Sequence, residues 1–260
     1  MNKISAVVIT YNEEKNIERC LISLLPVADE VIVLDSFSTD QTEEICKKHN
    51  VRFSQRKFDG YGSQKRAAVA LAKHDFILSL DADECLDDKL MHEIANAKLS
   101  NLKNLYKLNR LTWCVSDWVR HSGWYPDRKI RLWHKDHAEW TKSNLHEVVS
   151  PINKSESIET LDGHILHYSF RSHEDHLSQI ENFSNIAAKQ YFNQGKKPNF
   201  IDLWIKPMYK FLNIYILKAG FLDGRIGWLI AIRSAKGVKR KYEILNQMWM
   251  KKRCEANSLN

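Results

Sequence analysis

Phe76-Ile-Leu-Ser-Leu-Asp81-Ala-Asp83-Glu84 is an apolar run that stops abruptly in three carboxylates. Its apolar residues predict a strand that is buried on both faces, which is typical of a parallel sheet covered by helices. Ligands of open α/β sheets bind outside the carboxyl ends of the strands, and Asp81 and Asp83 stand at such an end. The stretch therefore predicts an α/β fold with a functional site at the end of this strand.

Asp81 and Asp83 are carboxylates one residue apart, a pattern that suits a hard divalent cation. Mg²⁺ is typically held by one or two protein carboxylates together with phosphate oxygens of a substrate. The same acids could instead form an acidic turn in front of a helix that begins near Asp87. The stretch alone leaves a metal site and an acidic turn both open.

Strands and helices alternate along the first hundred residues. The predicted strands cover residues 4–10, 30–34, 51–53 and 76–81, and the helices between them cover 17–25, 41–49 and a stretch that ends at 72. Asn12 is the predicted N-cap of the first helix, because a short polar side chain there accepts a backbone hydrogen bond. Asp35 ends the second strand as Asp81 ends the fourth. Such alternation with short loops predicts a right-handed, mostly parallel sheet flanked by helices.

The composition is that of an ordinary globular protein, with 43% hydrophobic and 27% charged residues in a chain of 260. No signal-peptide pattern precedes the first strand, and the five cysteines form no C-x-x-C pair. These features predict a cytoplasmic protein without a zinc site or a disulfide framework. Gly60 and Gly62 lack the third glycine of a dinucleotide fingerprint, and no P-loop occurs, so hydride transfer and P-loop phosphoryl transfer lose support.

Residues 103–168 have alternating, strand-like patterns and many aromatic side chains. Five tryptophans fall within 28 residues, namely Trp113, Trp118, Trp124, Trp133 and Trp140. Two or three of them are expected in the core. Because sugar rings present apolar C–H faces that stack on aromatic rings, the others are candidates for the wall of an acceptor site.

The same region contains polar candidates for chemistry. Glu147 is the candidate general base, with Asp117 as the alternative, and His167 is a candidate metal or phosphate ligand. Arg128 and Arg131 could pair with phosphate or with an acceptor carboxylate, although exposed arginines on strands are usually solvated. A lone histidine is also more often a structural residue than a ligand. These roles are hypotheses, and they depend on where the fold places each side chain.

The net charge of +7 is concentrated near the C-terminus. Residues 203–253 contain twelve Lys or Arg against Asp223 and Glu243, which gives +10 and leaves −3 for the rest of the chain. The segment is rich in aromatic residues, and its longest uncharged apolar run is shorter than the ~20 residues of a transmembrane helix. Basic, aromatic-rich amphipathic helices lie in membrane interfaces. A helical hairpin that packs on the domain or on a second subunit remains the alternative.

Six motifs in this order resemble glycosyltransferase family 2, and within it most closely the lipopolysaccharide core β-1,4-glucosyltransferase branch. The motifs are VVITYNEEKNIERCL, EVIVLDSFSTDQT, GYGSQKRAA, ILSLDADE, GWYPDRKIRLW and LHE. The match runs from residue 4 to about residue 170, and the tail around 220–224 also resembles that branch. The resemblance implies a GT-A fold, Rossmann-like with a mostly parallel sheet, in residues 1–195, followed by a C-terminal helical extension in residues 196–260.

The resemblance also implies roles for individual residues. It places the nucleoside of the donor near Thr10, Tyr11, Asn12, Glu14 and Asp35, its ribose or diphosphate at Asp81, Mg²⁺ or Mn²⁺ at Asp83, and Lys65 with Arg66 beside the diphosphate or the sugar. Glu147 matches the catalytic carboxylate of the family, although this chain has His146-Glu147 where the family usually has an acidic pair. These roles fit the chemistry, since inverting transfer needs a base and a stabilised leaving diphosphate.

The sequence thus predicts an inverting, metal-dependent hexosyltransferase that uses a nucleotide sugar, with UDP-glucose as the implied donor. The implied acceptor is a saccharide or lipid-linked saccharide such as the lipopolysaccharide inner core. The protein is expected to be peripheral on the inner face of the cytoplasmic membrane, and a homodimer is left open. The alternatives are a nucleotidyltransferase acting on a sugar phosphate and a non-catalytic carbohydrate-binding protein of the membrane surface. Nucleic acid is not an expected partner, because the basic charge is confined to the aromatic tail.

Overall fold

The computed structural model describes residues 2–141, 147–170 and 172–257, with side chains as far as residue 254. The chain folds into two compact units. The first comprises Met1–Leu111 and Asp127–Tyr168, and the second comprises Thr112–Pro126 and Ser169–Asn260. The predicted helical extension, residues 196–260, lies within the second unit.

The elements are numbered in chain order. The strands are β1 (Ile4–Thr10), β2 (Glu30–Asp35), β3 (Arg52–Gln55), β4 (Phe76–Asp81), β5 (Glu84–Leu86), β6 (Leu105–Cys114), β7 (Asp117–Val119), β8 (Asp127–His134), β9 (Ala138–Trp140), β10 (Val149–Pro151) and β11 (Glu159–Phe170). The α-helices are α1 (Ile17–Leu24), α2 (Thr42–Lys48), α3 (Tyr61–Ala70), α4 (Asp88–Leu99), α5 (His173–Asn193), α6 (Lys206–Leu212) and α7 (Gly224–Asn257).

Nine of the strands in the described residues form one sheet. Eight of them follow the order β3-β2-β1-β4-β8-β6-β11-β5, and β7 pairs with β6. Strand β1 is parallel to both β2 and β4, and β2 is parallel to β3. The register sets Thr10 opposite Asp35 and Ile9 opposite Asp81. The predicted parallel part of the sheet is therefore present, and its strand-end acids lie at one edge.

The remaining strands extend the sheet in the antiparallel sense. Strand β8 is antiparallel to both β4 and β6, and β11 is antiparallel to β5. Strand β11 sets His167 opposite Glu84. This pairing brings a residue from far along the chain to the carboxyl end of β4.

Helices cover both faces of the parallel strands. Successive residues of a strand point to opposite faces, so neighbouring residues of β4 lie in different cores. On one face Leu78 of β4 packs in a core with Leu21 of α1 and Ile94 of α4. On the other face Ile77 packs in a second core with Ala68 of α3. Burial on both faces explains why these strands read as continuous apolar runs in the sequence.

The predicted N-cap of the first helix is wrong. Helix α1 begins at Ile17, after Asn16, and Asn12 lies in a turn with φ 53°. Asparagine tolerates this left-handed region better than most residues. The Asn12 side chain accepts a hydrogen bond from the backbone N–H of Thr39 (2.8 Å), so it ties the loop after β1 to the loop after β2.

In the second unit, α5 packs against α7. A capping box at Ser172 and Asp175 starts α5, since each of these two residues accepts a hydrogen bond from the backbone of the other. Farther along, Arg240 of α7 holds the Glu181 carboxylate with contacts of 2.8–3.0 Å.

A 3₁₀ turn, Gly220–Asp223, precedes α7 in the second unit. The Asp223 carboxylate, whose side chain is only 2% exposed, accepts hydrogen bonds from the backbone N–H groups of Arg120 and His121 (both 3.0 Å). It also accepts one from the Ser122 hydroxyl (2.7 Å).

None of the helices in the described part of the chain has the length and apolar character of a membrane-spanning segment.

Candidate active site

A cavity of about 650 Å³ lies in the first unit, at the carboxyl ends of β1 and β4. Its lining comes from several loops, which parallel strands bring together at one edge of the sheet. The lining residues are Ile9, Thr10, Tyr11, Glu13, Ser36, Phe37, Lys57, Phe58, Tyr61, Gln64, Lys65, Asp81, Ala82, Asp83, Glu147 and His167. The cavity brings together seven residues that were predicted for the site: Thr10, Tyr11, Lys65, Asp81, Asp83, Glu147 and His167.

Asp81 is held by two buried cations. The Lys65 Nζ atom lies 2.8 Å from one carboxylate oxygen, and Arg131 Nη2 lies 3.2 Å from the other. The Lys65 ammonium also lies over the Trp140 ring, 4.7 Å from its centroid. Burial alone would raise the pKa of Asp81, but the charges of Lys65 and Arg131 outweigh it and hold that pKa well below its usual range. Asp81 is therefore ionised at neutral pH.

Glu84 completes the ionic network beneath the cavity. It is fully buried, and its carboxylate lies 3.4 Å from Arg131 and 3.3 Å from Arg110. It also accepts a hydrogen bond from the backbone N–H of Asp81 (3.0 Å). Arg131 was a candidate for pairing with phosphate or acceptor carboxylate. In the structure its buried guanidinium instead pairs with Asp81 and Glu84.

Replacing Glu84 by alanine is expected to lower the free energy of unfolding by about 3–5 kcal/mol, because removing one partner of a buried ion pair leaves an uncompensated charge. Urea denaturation measures the loss. Glu84→Gln keeps a hydrogen-bond acceptor and should lose less, and Glu139→Ala on the exposed side of β9 is the control. A loss from Glu84→Ala no larger than that of the control would contradict a stabilising role for this network.

Asp83 and His167 form a pair of oxygen and nitrogen donors at the cavity. The Asp83 Oδ2 atom lies 3.1 Å from His167 Nε2. Next to this contact, the backbone N–H of Tyr168 donates to the Asp83 carbonyl (2.9 Å), which fixes the position of β11. Within the described residues no group of three or more His, Cys, Asp and Glu side chains has the geometry of a metal site. Among the described residues, Asp83 and His167 are a carboxylate and an imidazole in contact at the cavity, and a role in holding a metal stays a prediction.

The loops after β1 and β2 hold each other in place. Asp35 is fully buried and accepts hydrogen bonds from the backbone N–H and the hydroxyl of Ser38. Glu14 accepts one from the backbone N–H of Gln41 (3.2 Å). Neither residue lines the cavity, and nor does Asn12. Their contacts position the loops that carry the lining residues, and direct contact with a nucleoside stays a prediction.

Thr10 offers a polar group to the cavity. Its side chain is buried, and its hydroxyl has no hydrogen-bond partner among the residues described. Buried hydroxyl groups are normally hydrogen-bonded. The unpaired hydroxyl of this cavity-lining residue makes Thr10 a candidate contact for a ligand.

Glu147 lines the cavity and is half-buried. It directly follows residues 142–146, which include His146 and lie outside the described residues. Asp117, the alternative base, is exposed at the start of β7 in the second unit. Arg66 donates a hydrogen bond to the backbone carbonyl of Thr141 (2.8 Å) and is not part of the lining. The roles of these residues stay predictions.

Several lining residues were not recognised from the sequence. The rings of Phe58 and Tyr61 meet edge to face with centroids 5.0 Å apart, and both side chains remain largely exposed at the cavity. Phe37 adds another exposed ring, with φ 64°. Gln64 is fully buried and donates to the Ser36 hydroxyl (3.2 Å). Tyr61 and Gln64 stand in the quoted motif GYGSQKRAA, which was the available signal.

The tryptophans divide between the two units. Trp133 and Trp140 are almost fully buried in the core of the first unit, with ring centroids 6.1 Å apart, as predicted for two or three of the five. Trp113 and Trp118 pack edge to face in the second unit (5.2 Å), and Trp124 joins a core there. A role for these last three in binding sugar stays a prediction.

A family model described as glycosyl transferase family 2 matches residues 5–152. An uncharacterized glycosyltransferase of Rickettsia bellii (strain RML369-C) is 32% identical over 237 residues, which cover 87% of this chain and 80% of the relative. The lipopolysaccharide core biosynthesis glycosyltransferase LpsC of Rhizobium meliloti (strain 1021) is 24% identical over 256 residues, 93% of each chain. The chain belongs to glycosyl transferase family 2 and has the predicted GT-A fold.

Among solved structures, the chain is similar to S. aureus TarS 1-349 in complex with UDP. The sequence identity is 17%, the TM-score is 0.47, and the match covers 96% of this chain and 91% of the other.

Proposed function

We propose that this chain is an inverting, metal-dependent glycosyltransferase that moves glucose from UDP-glucose to a saccharide of the lipopolysaccharide inner core. The observation that carries the proposal is the cavity at the ends of β1 and β4, which gathers Lys65, Asp81, Asp83, His167 and Glu147 around one space. Its volume of about 650 Å³ lies within the range of small-molecule sites. Membership of a glycosyltransferase family supports the same reaction class.

The donor set at Asp83 fits a divalent cation of a nucleotide-sugar enzyme. Mg²⁺ keeps few protein ligands and takes the rest from substrate phosphate and water, so Asp83 and His167 suffice as the protein's share. When bound, the cation supplies Lewis-acid stabilisation to the departing diphosphate. Lys65, 2.8 Å from Asp81 at the cavity wall, adds a positive charge beside the same diphosphate.

The aromatic side chains at the cavity provide a surface for the base and the sugar of the donor. Tyr11 and Tyr61 are 58% and 62% exposed, and Phe58 stands beside Tyr61. Rings of this kind bind planar bases and the C–H faces of sugars. The unpaired Thr10 hydroxyl supplies one hydrogen-bonding group next to them.

Glu147 is the general base of the proposed reaction. Its carboxylate takes the proton of an acceptor hydroxyl, and that oxygen forms a bond to the anomeric carbon of the donor. The bond between the anomeric carbon and the diphosphate oxygen breaks, and the electron pair stays on the diphosphate. Because attack comes from the face opposite the leaving group, the anomeric configuration inverts.

The acceptor assignment rests on the relative that is a lipopolysaccharide core biosynthesis glycosyltransferase and aligns over 93% of both chains. Lipid-linked saccharides are built at a membrane surface. We therefore place this protein on the inner face of the cytoplasmic membrane, where a cytoplasmic nucleotide-sugar donor meets such an acceptor.

The test is a transfer assay with purified protein, UDP-glucose, Mn²⁺ and inner-core oligosaccharides of increasing length. We expect release of UDP that depends on both Mn²⁺ and an acceptor, with a glucose-containing product of inverted configuration by NMR. A panel of other nucleotide sugars checks the base and the sugar. Release of pyrophosphate from a nucleoside triphosphate and a sugar phosphate would instead indicate a nucleotidyltransferase, and no turnover of any donor would contradict the proposed function.

A further inference from the structure

The second unit gathers exposed apolar side chains in one short segment. Of the 25 large apolar side chains that are exposed in the described part of the chain, 12 lie between Phe200 and Trp228. Trp204 is 56% exposed, Tyr209 60% and Leu217 71%. Exposed apolar side chains concentrated in one segment are typical of an interaction site on a folded protein. We call the exposed apolar side chains of residues 200–228 the tail surface.

The backbone of this segment keeps its apolar residues aligned. Apolar pairs recur every four residues at 200–201, 204–205 and 208–209, and another follows at 216–217. In an unbroken α-helix each four-residue step would rotate the pair by about 40°. Helix α6 is instead flanked by π-helical turns at Ile201–Ile205 and Asn213–Leu217, whose wider turns reduce this drift. The pairs therefore stay closer to one face, and Asp202, Pro207 and Ile214 of the same segment are buried.

The segment exposes positive charge and hides its acids. Asp202 and Asp223 are the only acidic residues between positions 199 and 242. Asp202 is buried and bonded to Lys206 Nζ (2.6 Å), and the Asp223 side chain is 2% exposed and held by backbone N–H groups. The charge that this segment presents to a partner is therefore cationic.

Lys210 and Lys218 are two of the cations that alternate in sequence with these apolar residues. Neither forms an ion pair in the part of the chain that the structure describes. Burial and the nearby charge of Lys218 lower the pKa of Lys210. Two neighbouring ammonium groups without a carboxylate favour an anionic partner.

We propose that the tail surface docks onto a lipid bilayer with anionic headgroups, with its apolar side chains at the acyl boundary and Lys210 and Lys218 at the phosphates. Amphipathic helices with aromatic and basic residues bind membranes in this way. A second copy of the chain is a poorer occupant, because a symmetric pair would bring two surfaces of the same positive charge together. The inference deepens the proposed function, since it names the partner that presents a lipid-linked acceptor.

The test is co-sedimentation of the full chain with vesicles of phosphatidylcholine alone or with 30% phosphatidylglycerol, at ~0.1 M salt. We expect binding to the anionic vesicles only. Lys210→Gln/Lys218→Gln should lower the partition coefficient about thirtyfold, since each basic residue at such a surface contributes ~1 kcal/mol. Leu217→Ser should lower it about tenfold through lost burial of its side chain.

Matched controls separate this surface from general effects. Leu99→Ser changes a leucine of the first unit that is also 71% exposed, and Lys3→Gln/Lys154→Gln removes two exposed lysines elsewhere. Both controls should bind vesicles like the wild type. Equal losses in the controls, or equal binding to neutral and anionic vesicles, would overturn the proposal.

The remaining outcomes also decide. If the wild type binds no vesicles but forms a dimer that Leu217→Ser dissociates, the tail surface is an interface between copies and the proposal is wrong. Transfer to a soluble acceptor without vesicle binding contradicts this inference and the placement at the membrane, and leaves the proposed transfer reaction standing. Vesicle binding without turnover of any nucleotide sugar contradicts the proposed function and leaves this inference standing.

Discussion

Replacing Glu147 by glutamine is expected to lower turnover by about 10²–10⁴-fold, the usual contribution of a general base. Glutamine preserves the shape of the side chain and removes only the proton acceptor, so the affinity for UDP-glucose should stay within about twofold of the wild type. The measurement is kcat in the transfer assay together with UDP-glucose binding by calorimetry. Glu147 lines the cavity, whereas Asp81 is committed to Lys65 and Arg131.

Two further variants decide between the candidate bases. Glu139→Gln changes an exposed glutamate of β9 and should leave kcat unchanged. Asp117→Asn should also retain turnover. If Asp117→Asn loses turnover and Glu147→Gln keeps it, Asp117 is the base. Normal turnover in both variants would mean that the acceptor site is misplaced.

Replacing Asp83 by alanine is expected to abolish the binding of UDP that depends on Mn²⁺. Asp83 and His167 are the pair of donors at the cavity, and without the carboxylate a single imidazole is left to hold the cation with the phosphates. A ligand present at 100 times its Kd stabilises a protein by ~2.7 kcal/mol. In the wild type the melting temperature should therefore rise when UDP and Mn²⁺ are added together, and in Asp83→Ala this rise should disappear.

Asp162→Ala is the control, because Asp162 is an exposed acid whose partner is Lys89 on the surface. It should show the full rise in melting temperature. The melting temperature of Asp83→Ala without ligand should stay close to that of the wild type, which separates loss of binding from loss of folding. An undiminished Mn²⁺-dependent rise in Asp83→Ala would show that the cation binds elsewhere.

The position of the strand-end acids could be predicted from the sequence, because it follows from local pattern. An apolar run that ends in Asp81 and Asp83 is recognisable without tertiary structure, and the parallel register then sets Asp35 and Asp81 at the same edge. The resemblance placed Lys65 beside the diphosphate or the sugar, whereas the ion pair between Lys65 and Asp81 became visible only in the structure. No local pattern joins residues sixteen positions apart in different elements.

The ionic network under the cavity could not be predicted. Arg131 reaches Asp81 and Glu84 because β8 pairs antiparallel to β4. A local sequence pattern predicts neither which strand pairs with β4 nor the register of that pairing. The error over Asn12 has a similar origin. A polar residue before a helix signals a cap, but Asn12 bonds instead to a loop that is 27 residues away in sequence.

In the C-terminal segment, helical periodicity predicted that helices form but not the kind of helical turn. The sequence indicated basic, aromatic-rich helices in residues 203–253, and the structure has α6 and α7 there with a 3₁₀ turn between them. The two π-helical turns on either side of α6 were not foreseen. The apolar pairs of residues 200–209 repeat every four residues, which matches neither the 3.6 residues per turn of an α-helix nor the 3.5 of a coiled coil. This mismatch was the signal in the sequence that could have indicated wider helical turns.

Amide hydrogen exchange of the wild type, with and without UDP and Mn²⁺, tests the central claim most directly, because it shows where the nucleotide binds. The cavity is lined from the ends of β1, β4 and β11 and from the start of α3. We therefore expect amide exchange to become slower in residues 10–14, 57–66, 81–86 and 164–168 when UDP and Mn²⁺ are both present. With UMP alone at the same concentration, the exchange rates of these residues should not change. Unchanged exchange in these segments, or protection confined to the second unit, would contradict a nucleotide-sugar site at the carboxyl ends of β1 and β4.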